Sequence, residues 1–302
     1  MTITIDMEDR VIDISDAPAA LHVRLDQLII EQGETQAQVP LCDLTALIVS
    51  HPQVSFTLAV INGICEKGGV FIICDGRRQP SAMMLPLVGH CEQTQIMAAQ
   101  LLISEPLKKQ IWKQVIQGKI KAQAETLFAL REKDCGLEAL AQKVSSGDSN
   151  NCEAQASRIY WPALFGDGFR RRPLSDDIIN VALNYGYALV RAITARGLCA
   201  AGLNLTLGIH HHNKYNPFCL ADDLMEPFRP LVDKAVFNMR HDHQKEMKLD
   251  KVVKGYLIEE IFDERLFWKE ESRSLKESVF ICTSSLAGII MKKGGRLAIP
   301  AK

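Results

Sequence analysis

The sequence predicts an α+β protein: a small β-rich domain over residues 1–90, then a larger all-helical domain over residues 91–302. Three observations predict it. Through most of the first ninety positions apolar and polar residues alternate, the period of half-buried strands. Beyond Cys91 apolar residues recur every three or four positions, the period of amphipathic helices. The charge changes sign at the same place. Residues 1–90 carry 11 acidic and 5 basic side chains and the remainder carries 30 basic and 25 acidic, so a chain of net charge −1 divides into parts of −6 and +5. A basic body of this kind suits a polyanionic partner, although a charge excess is also what any solvated face carries.

Taken in order, residues 2–5, 10–14 and 21–25 alternate and read as strands, and Gln32-Gly33-Glu34 punctuates the next run as a turn. Residues 44–50 and 70–74 are short, mostly apolar runs, as expected of more central strands. Between them, residues 56–65 read as one short helix closed by Gly68-Gly69. Residues 93–104 and 107–131 are amphipathic helices, 144–151 a polar loop, and 153–161 helical again. Ser175 is the expected N-cap of a long helix that runs toward Arg196 and stops at Gly197, with Asp176 and Asp177 in its first turn. Further helices are expected over residues 220–239, 252–262 and 272–291.

Several classes are disfavoured by composition. With 47% hydrophobic and 24% charged residues the chain is a globular one, not a disordered one. No apolar run reaches the roughly 20 residues of a membrane span. The first ten residues carry Asp6, Glu8 and Asp9, unlike a secretory leader. Nine scattered cysteines without a C-x-x-C pair predict free thiols in a reducing cytoplasm and neither disulfides nor a zinc knuckle.

The chemistry-bearing residues gather between positions 153 and 230. No phosphate-binding glycine loop, dinucleotide fingerprint, nucleophile elbow or H-E-x-x-H helix is present. Gly208-Ile209-His210-His211-His212-Asn213 precedes Asp222-Asp223-Leu224-Met225-Glu226-Pro227-Phe228-Arg229-Pro230. On one helix Asp223 and Glu226 share a face, and neighbouring carboxylates call for a neutralising cation. A histidine from the preceding loop would complete a mixed oxygen and nitrogen set suited to Mn²⁺ or hydrated Mg²⁺. Each feature also has a plainer reading. Acidic residues early in a helix complement its dipole, and a loop histidine triplet is commonly solvated. His241-Asp242-His243 reads as the charged end of a helix, and Tyr160 and Trp161 read as core. Arg170-Arg171-Arg172 before Pro173 either holds phosphates or forms a solvated turn. Residue by residue, this amounts to a candidate metal site in a basic helical domain.

The order of the motifs goes further. Glu153 with Tyr160-Trp161, then Gly208-Ile209-His210-His211, then the Leu220 to Pro230 string resembles the CRISPR-associated integrase of the spacer-acquisition module, in its type II branch. The resemblance spans essentially the whole chain and departs visibly at Ala154, where many members carry glycine; a helix interior accepts alanine better. It implies a metal site of Glu153, His211 and Glu226 with Asp223 beside it, holding Mg²⁺ or Mn²⁺. It implies transesterification, in which the 3′-hydroxyl of a captured fragment attacks the CRISPR repeat boundary, and nuclease activity when water replaces the hydroxyl. It implies a homodimer that joins a small nuclease-fold protein of the same module in a heterohexamer, with the effector nuclease of the system a further candidate partner. Double-stranded DNA would lie on the basic domain, near Arg170, Arg171, Arg172 and Arg229, and residues 1–90 would make the dimer contact. Two other readings remain: a catalytically idle DNA-binding scaffold, and a metal phosphoesterase of small molecules. Among the three histidines, the family's G-x-x-H register starting at Gly208 selects His211. So does alternation, because Leu203, Leu205, Leu207 and Ile209 would carry His211 inward on an extended segment.

Overall fold

The computed structural model describes residues 2–3, 9–76, 80–242, 248–268 and 271–300. The N-terminal alternation resolves into β1 (Thr2–Ile3), β2 (Arg10–Ile14), β3 (Ala19–Arg24), β4 (Gln27–Gln32), β5 (Thr35–Pro40), β6 (Leu44–Val49), β7 (Val54–Phe56), α1 (Leu58–Glu66), β8 (Val70–Cys74) and β9 (Pro80–Met84). Residues 4 and 5 of the first predicted strand lie outside the described residues. One sheet has the order β1-β2-β6-β8-β9 and the other β5-β4-β3-β7. In the first, β2, β6 and β8 are parallel, with Ile12 opposite Leu47 and Ile48 opposite Ile72. Every residue of β6 is buried, which is why its sequence is apolar at every position but Thr45. Leu47 and Val49 pack with Ile12, Ile14 and Phe71 toward the second sheet, whereas Ala46 and Ile48 pack with Val11, Val70 and Ile72 toward the helices. The helix expected from residue 56 starts two positions later. Phe56 pairs with Leu21 in β3, and the Thr57 N–H donates to the Leu21 carbonyl at 3.1 Å.

The remainder is mostly helical: α2 (Gln93–Leu101), α3 (Glu105–Arg131), α4 (Leu137–Gln142), α5 (Cys152–Phe165), α6 (Ile178–Ala200), α7 (Cys219–Leu224), α8 (Arg229–Asp242), α9 (Lys251–Asp263) and α10 (Leu275–Lys292). One hairpin, β10 (Leu266–Trp268) with β11 (Glu271–Arg273), interrupts it. The hairpin shortens the helix expected from residue 272. Ser274 then caps α10 in a reciprocal box with Glu277.

Two other boundaries differ for physical reasons. The N-cap of α6 is Asp177, whose Oδ2 accepts the Asn180 N–H at 3.1 Å, so Ser175 precedes the helix. Gly197 does not stop α6, because it is a packing glycine: a Cβ there would lie 3.0 Å from Thr283 Oγ1. The helix expected over residues 220–239 is also broken. Pro227 cannot continue it, and a 3₁₀ turn at Glu226–Phe228 separates α7 from α8.

The two parts share one core. Half-buried Asp13 of β2 accepts a hydrogen bond from Tyr185 of α6 at 3.0 Å, and Lys254 of α9, 1% exposed, lies 3.5 Å from the same carboxylate. None of the nine cysteines is in a disulfide; Cys74, Cys152, Cys219 and Cys282 are buried, whereas Cys42, Cys91 and Cys135 are exposed. No helix among the described residues is long and apolar enough to cross a membrane.

Candidate metal centre

Three local devices bring the acidic side chains together. The first starts α5. Asn151 adopts a left-handed conformation, and the Asp148 carboxylate accepts the N–H groups of Cys152 at 2.8 Å and Glu153 at 3.0 Å. This caps the helix and fixes Glu153 in its first turn, with Ala154 inside the helix. The second is Gly118 in the middle of α3, where a Cβ would lie 2.9 Å from Ile299 Cγ2 and 3.4 Å from Pro227 Cβ. Glycine thus makes room for the Ile299 side chain where α3 packs against the turn that carries Glu226. The third is that turn itself, which redirects the chain between Asp223 and Glu226.

Lys119 projects into the space these devices create. Its Nζ lies 2.6 Å from Glu153 Oε1 and 2.6 Å from Glu226 Oε2. Arg229 Nε approaches the other Glu226 oxygen at 3.0 Å, and the guanidinium lies over the Tyr187 ring, 4.9 Å from its centroid. Glu226 is 4% exposed. Burial alone pushes its carboxyl up, but Arg229 and Lys119 outweigh burial and hold its pKa below the ordinary value. Burial likewise favours neutral Lys119, and the carboxylates of Glu226 and Glu153 overcome it, raising the ammonium pKa. Both groups are charged at neutral pH.

The histidine loop is organised by Asp223. This carboxylate, 1% exposed, accepts the N–H of Ile209 at 2.6 Å, of His210 at 2.9 Å and of His211 at 3.2 Å, and it pairs with His211 Nδ1 at 2.5 Å. Gly208 is required for the turn, since a Cβ would lie 2.3 Å from the His211 carbonyl oxygen. Gln100 of α2 braces the entry to the loop, donating to the carbonyls of Asn204 and Leu207 and accepting the Asn204 N–H. Trp112 of α3 stacks on His210 at 4.2 Å between centroids and meets His211 edge-on at 5.8 Å.

The structure therefore corrects two expectations. Asp223 and Glu226 do not share a helix face, because the helix breaks between them and their carboxylates serve different partners. His211 is not carried inward by alternation either: residues 203–213 form turns and bends, and its side chain is 47% exposed. Its orientation comes from Asp223. The hydrogen bond to Asp223 raises the His211 pKa, against a smaller opposing effect of burial. It also directs Nε2 away from Asp223, the arrangement in which a carboxylate behind the ring presents an imidazole to a metal.

Glu153 and Glu226 are thus joined through Lys119, and His211 and Glu226 act on each other electrostatically. Among the described residues no group of three His, Cys, Asp or Glu side chains is placed to hold a metal ion. The space between the two carboxylates is taken by the ammonium. The donor chemistry nevertheless fits a divalent cation. Two carboxylates already share one positive charge, and the contact to Glu226 is an ion pair without directed hydrogen-bond geometry.

The arginines divide. Arg170 and Arg172 are exposed. Arg171 donates to Asn180 at 3.0 Å and Asn184 at 2.7 Å and lies over Tyr187, so it is anchored within the protein, as Arg229 is by Glu226. Tyr160 is core, fully buried, and Trp161 packs on Phe165. His241 and Asp242 end α8, while His243 lies outside the described residues.

Sequence reasoning missed Lys119, Gln100, Trp112 and Asp233. For Lys119 a signal existed. It follows an interior glycine and sits between buried Val115 and Gln123 at four-residue spacing, a lysine on the apolar face of its helix.

Asp233 supports the centre from below, accepting hydrogen bonds from Tyr160 at 2.9 Å and from Tyr187. Burial pushes its pKa up to about 6, against those hydrogen bonds. A carboxyl that binds its proton more tightly when folded makes stability fall as pH rises from about 4 to about 6, and leaves it level above. Asp233→Asn is expected to remove that slope, a difference of up to about 3 kcal/mol. Denaturant melts of both proteins from pH 4 to 7 check it, and equal slopes would contradict it.

A family model described as "CRISPR associated protein Cas1" matches residues 13–261. The chain is 35% identical over 284 residues to a CRISPR-associated endonuclease Cas1 of Neisseria meningitidis serogroup C (strain 8013), covering 93% of this chain and 92% of that protein. In fold it is similar to a casposase bound to integration product, with TM-score 0.77 and 20% identity over 95% of this chain and 92% of that one. It is similar too to a chain of a Cas6-RT-Cas1–Cas2 complex, with TM-score 0.72 and 19% identity over 99% of this chain and 37% of that one. At such identities the structural likeness is one of fold alone. The family match spans most of the chain, the curated relative is similar over nearly its full length, and the G-x-x-H loop and the Glu226 turn both lie inside the matched segment: the chain belongs to the CRISPR-associated protein Cas1 family.

Proposed function

We propose that this chain is a metal-dependent DNA endonuclease and integrase of CRISPR adaptation, inserting captured DNA fragments at the repeat boundary by transesterification. The observation that carries the reading is the pair of carboxylates, Glu153 and Glu226, held around one positive charge, with His211 oriented by Asp223. Glu153, Glu226 and His211 would hold Mg²⁺ or Mn²⁺, which when bound supplies Lewis-acid stabilisation of the charge that develops on a phosphoryl oxygen. The chain's own residues do the rest. Asp223 fixes the His211 ring, and Arg229 keeps Glu226 ionised while it is buried. The exposed Arg170 and Arg172 neutralise backbone phosphates. In the reaction the 3′-hydroxyl of the fragment gives up its proton and forms a bond to phosphorus as the bond to the departing 3′-oxygen breaks, and that oxygen takes up a proton in turn. Water as the nucleophile gives nicking instead.

The partners follow from the same reading: double-stranded DNA on the basic helical body, a homodimer, and a small Cas2-type protein. The likeness in fold to a chain of a Cas6-RT-Cas1–Cas2 complex supports the last. The dimer contact is assigned to residues 1–90, where β5 and β7 end the four-stranded sheet and a sheet edge invites covering.

Purified protein incubated with branched DNA is expected to nick or join it in Mn²⁺ and not in a chelator. DNA binding with no Mn²⁺-dependent product would instead favour the idle scaffold. Binding to duplexes of unrelated sequence is expected to be similar and to fall steeply with salt, by ~10³-fold or more between dilute and physiological buffer if six or more phosphates are neutralised. A salt-indifferent affinity measured by fluorescence anisotropy would contradict it.

A further inference from the structure

We propose that Lys119 is a built-in counter-ion of the candidate metal centre, holding Glu153 and Glu226 together before a divalent cation arrives and yielding its place when one binds. The inference rests on the metal-site reading above and adds to it a residue that competes with the metal. Lys119 is 12% exposed at the side chain and has both carboxylates at 2.6 Å. A cation ligated through the same oxygens, at the roughly 2.0–2.2 Å typical of Mg²⁺ and related ions, leaves no room for the ammonium between them, and the two positive centres repel. The ammonium can leave without moving α3, because it rides on a flexible four-carbon stem. Glu226 does not need it in that state, since Arg229 keeps the other oxygen at 3.0 Å.

The arrangement also answers a structural difficulty. Two carboxylates held close, one of them 4% exposed, would repel in the metal-free chain; Arg229 already partners Glu226, and Lys119 is the cation that touches both.

Mn²⁺ titrations of the full chain by calorimetry, paired with thermal melts, test the proposal without reading activity. Lys119→Met removes the competing charge and keeps the length. It is expected to bind Mn²⁺ at least tenfold more tightly than the unmodified protein, to melt lower without metal, and to regain the difference in saturating Mn²⁺. Lys119→Arg replaces the competitor with one that grips carboxylates in a fork, and it is expected to bind Mn²⁺ more weakly. Unchanged or weaker Mn²⁺ binding by a folded Lys119→Met, or tighter binding by Lys119→Arg, overturns the proposal. If Lys119→Met folds only with Mn²⁺ the proposal stands; if it folds under neither condition, the arginine variant decides. Glu226→Gln separates the two readings. If it binds Mn²⁺ as the unmodified protein does, the metal site itself is wrong, and the counter-ion role falls with it.

Discussion

His211→Ala is expected to lower metal-dependent cleavage and joining of DNA by on the order of 10³-fold, the scale of losing one preorganised stabilising group, while fold and DNA affinity persist. His210→Ala and His212→Ala should cost a few-fold at most. The asymmetry comes from Asp223, whose Oδ1 pairs with His211 Nδ1 at 2.5 Å and leaves Nε2 to act, whereas His210 is stacked on Trp112. Initial rates at saturating Mn²⁺, with anisotropy and circular dichroism as controls, check the ranking. A dead His210 or His212 variant beside an active His211→Ala would reverse the assignment.

Asp223 carries the second large effect, and its two variants separate two roles. Asp223→Ala strips three loop N–H groups of their acceptor. At roughly 1–3 kcal/mol for each donor left buried and unpaired, partly offset by water, the loss of stability is expected to reach about 3 kcal/mol. Activity should fall as far as in His211→Ala. Asp223→Asn, with its oxygen in the Oδ2 position, keeps the shape and the acceptor of the Ile209 and His210 amides and loses only that of the His211 N–H, so its stability loss should be smaller than that of Asp223→Ala. Its amide presents a donor to His211 Nδ1, which favours the tautomer with the proton on Nε2, and a protonated Nε2 cannot ligate. The expected outcome is a folded, DNA-binding protein with little metal-dependent activity. Denaturant melts and rates measured on the same preparations test this, and a fully active Asp223→Asn would show that the ring is not set by this hydrogen bond.

Much of the fold was legible because burial leaves a period in the sequence. The mostly apolar run of β6 announced a central strand, and the position of α6 followed from the capping and acidic residues at its start, although its cap lies at Asp177 and not at Ser175. What a period does not encode was missed. Pro227 breaks a pattern that looks continuously helical from residue 220, and Phe56 joins a strand through pairing with Leu21, a partner thirty-five positions away. The site divides in the same way. Spacing placed Asp223 beside Glu226, yet their partners are the backbone of residues 209–211 and Lys119, about ninety residues apart, which no local pattern relates. The arginine run was visible as charge, but that Arg171 is engaged by Asn180 and Asn184 depends on a helix folding back beside it.

Strand transfer in Mn²⁺ of a DNA fragment ending in a 3′-hydroxyl, compared with the same fragment ending in a 3′-deoxy nucleotide, tests most directly whether Glu153, His211 and Glu226 form one transesterification site. The expected result is a joined product from the hydroxyl end only, absent in a chelator and absent from Glu153→Gln, His211→Ala and Glu226→Gln proteins that still bind the DNA. Joining by the 3′-deoxy fragment, or undiminished joining by the Glu226→Gln protein, would contradict it.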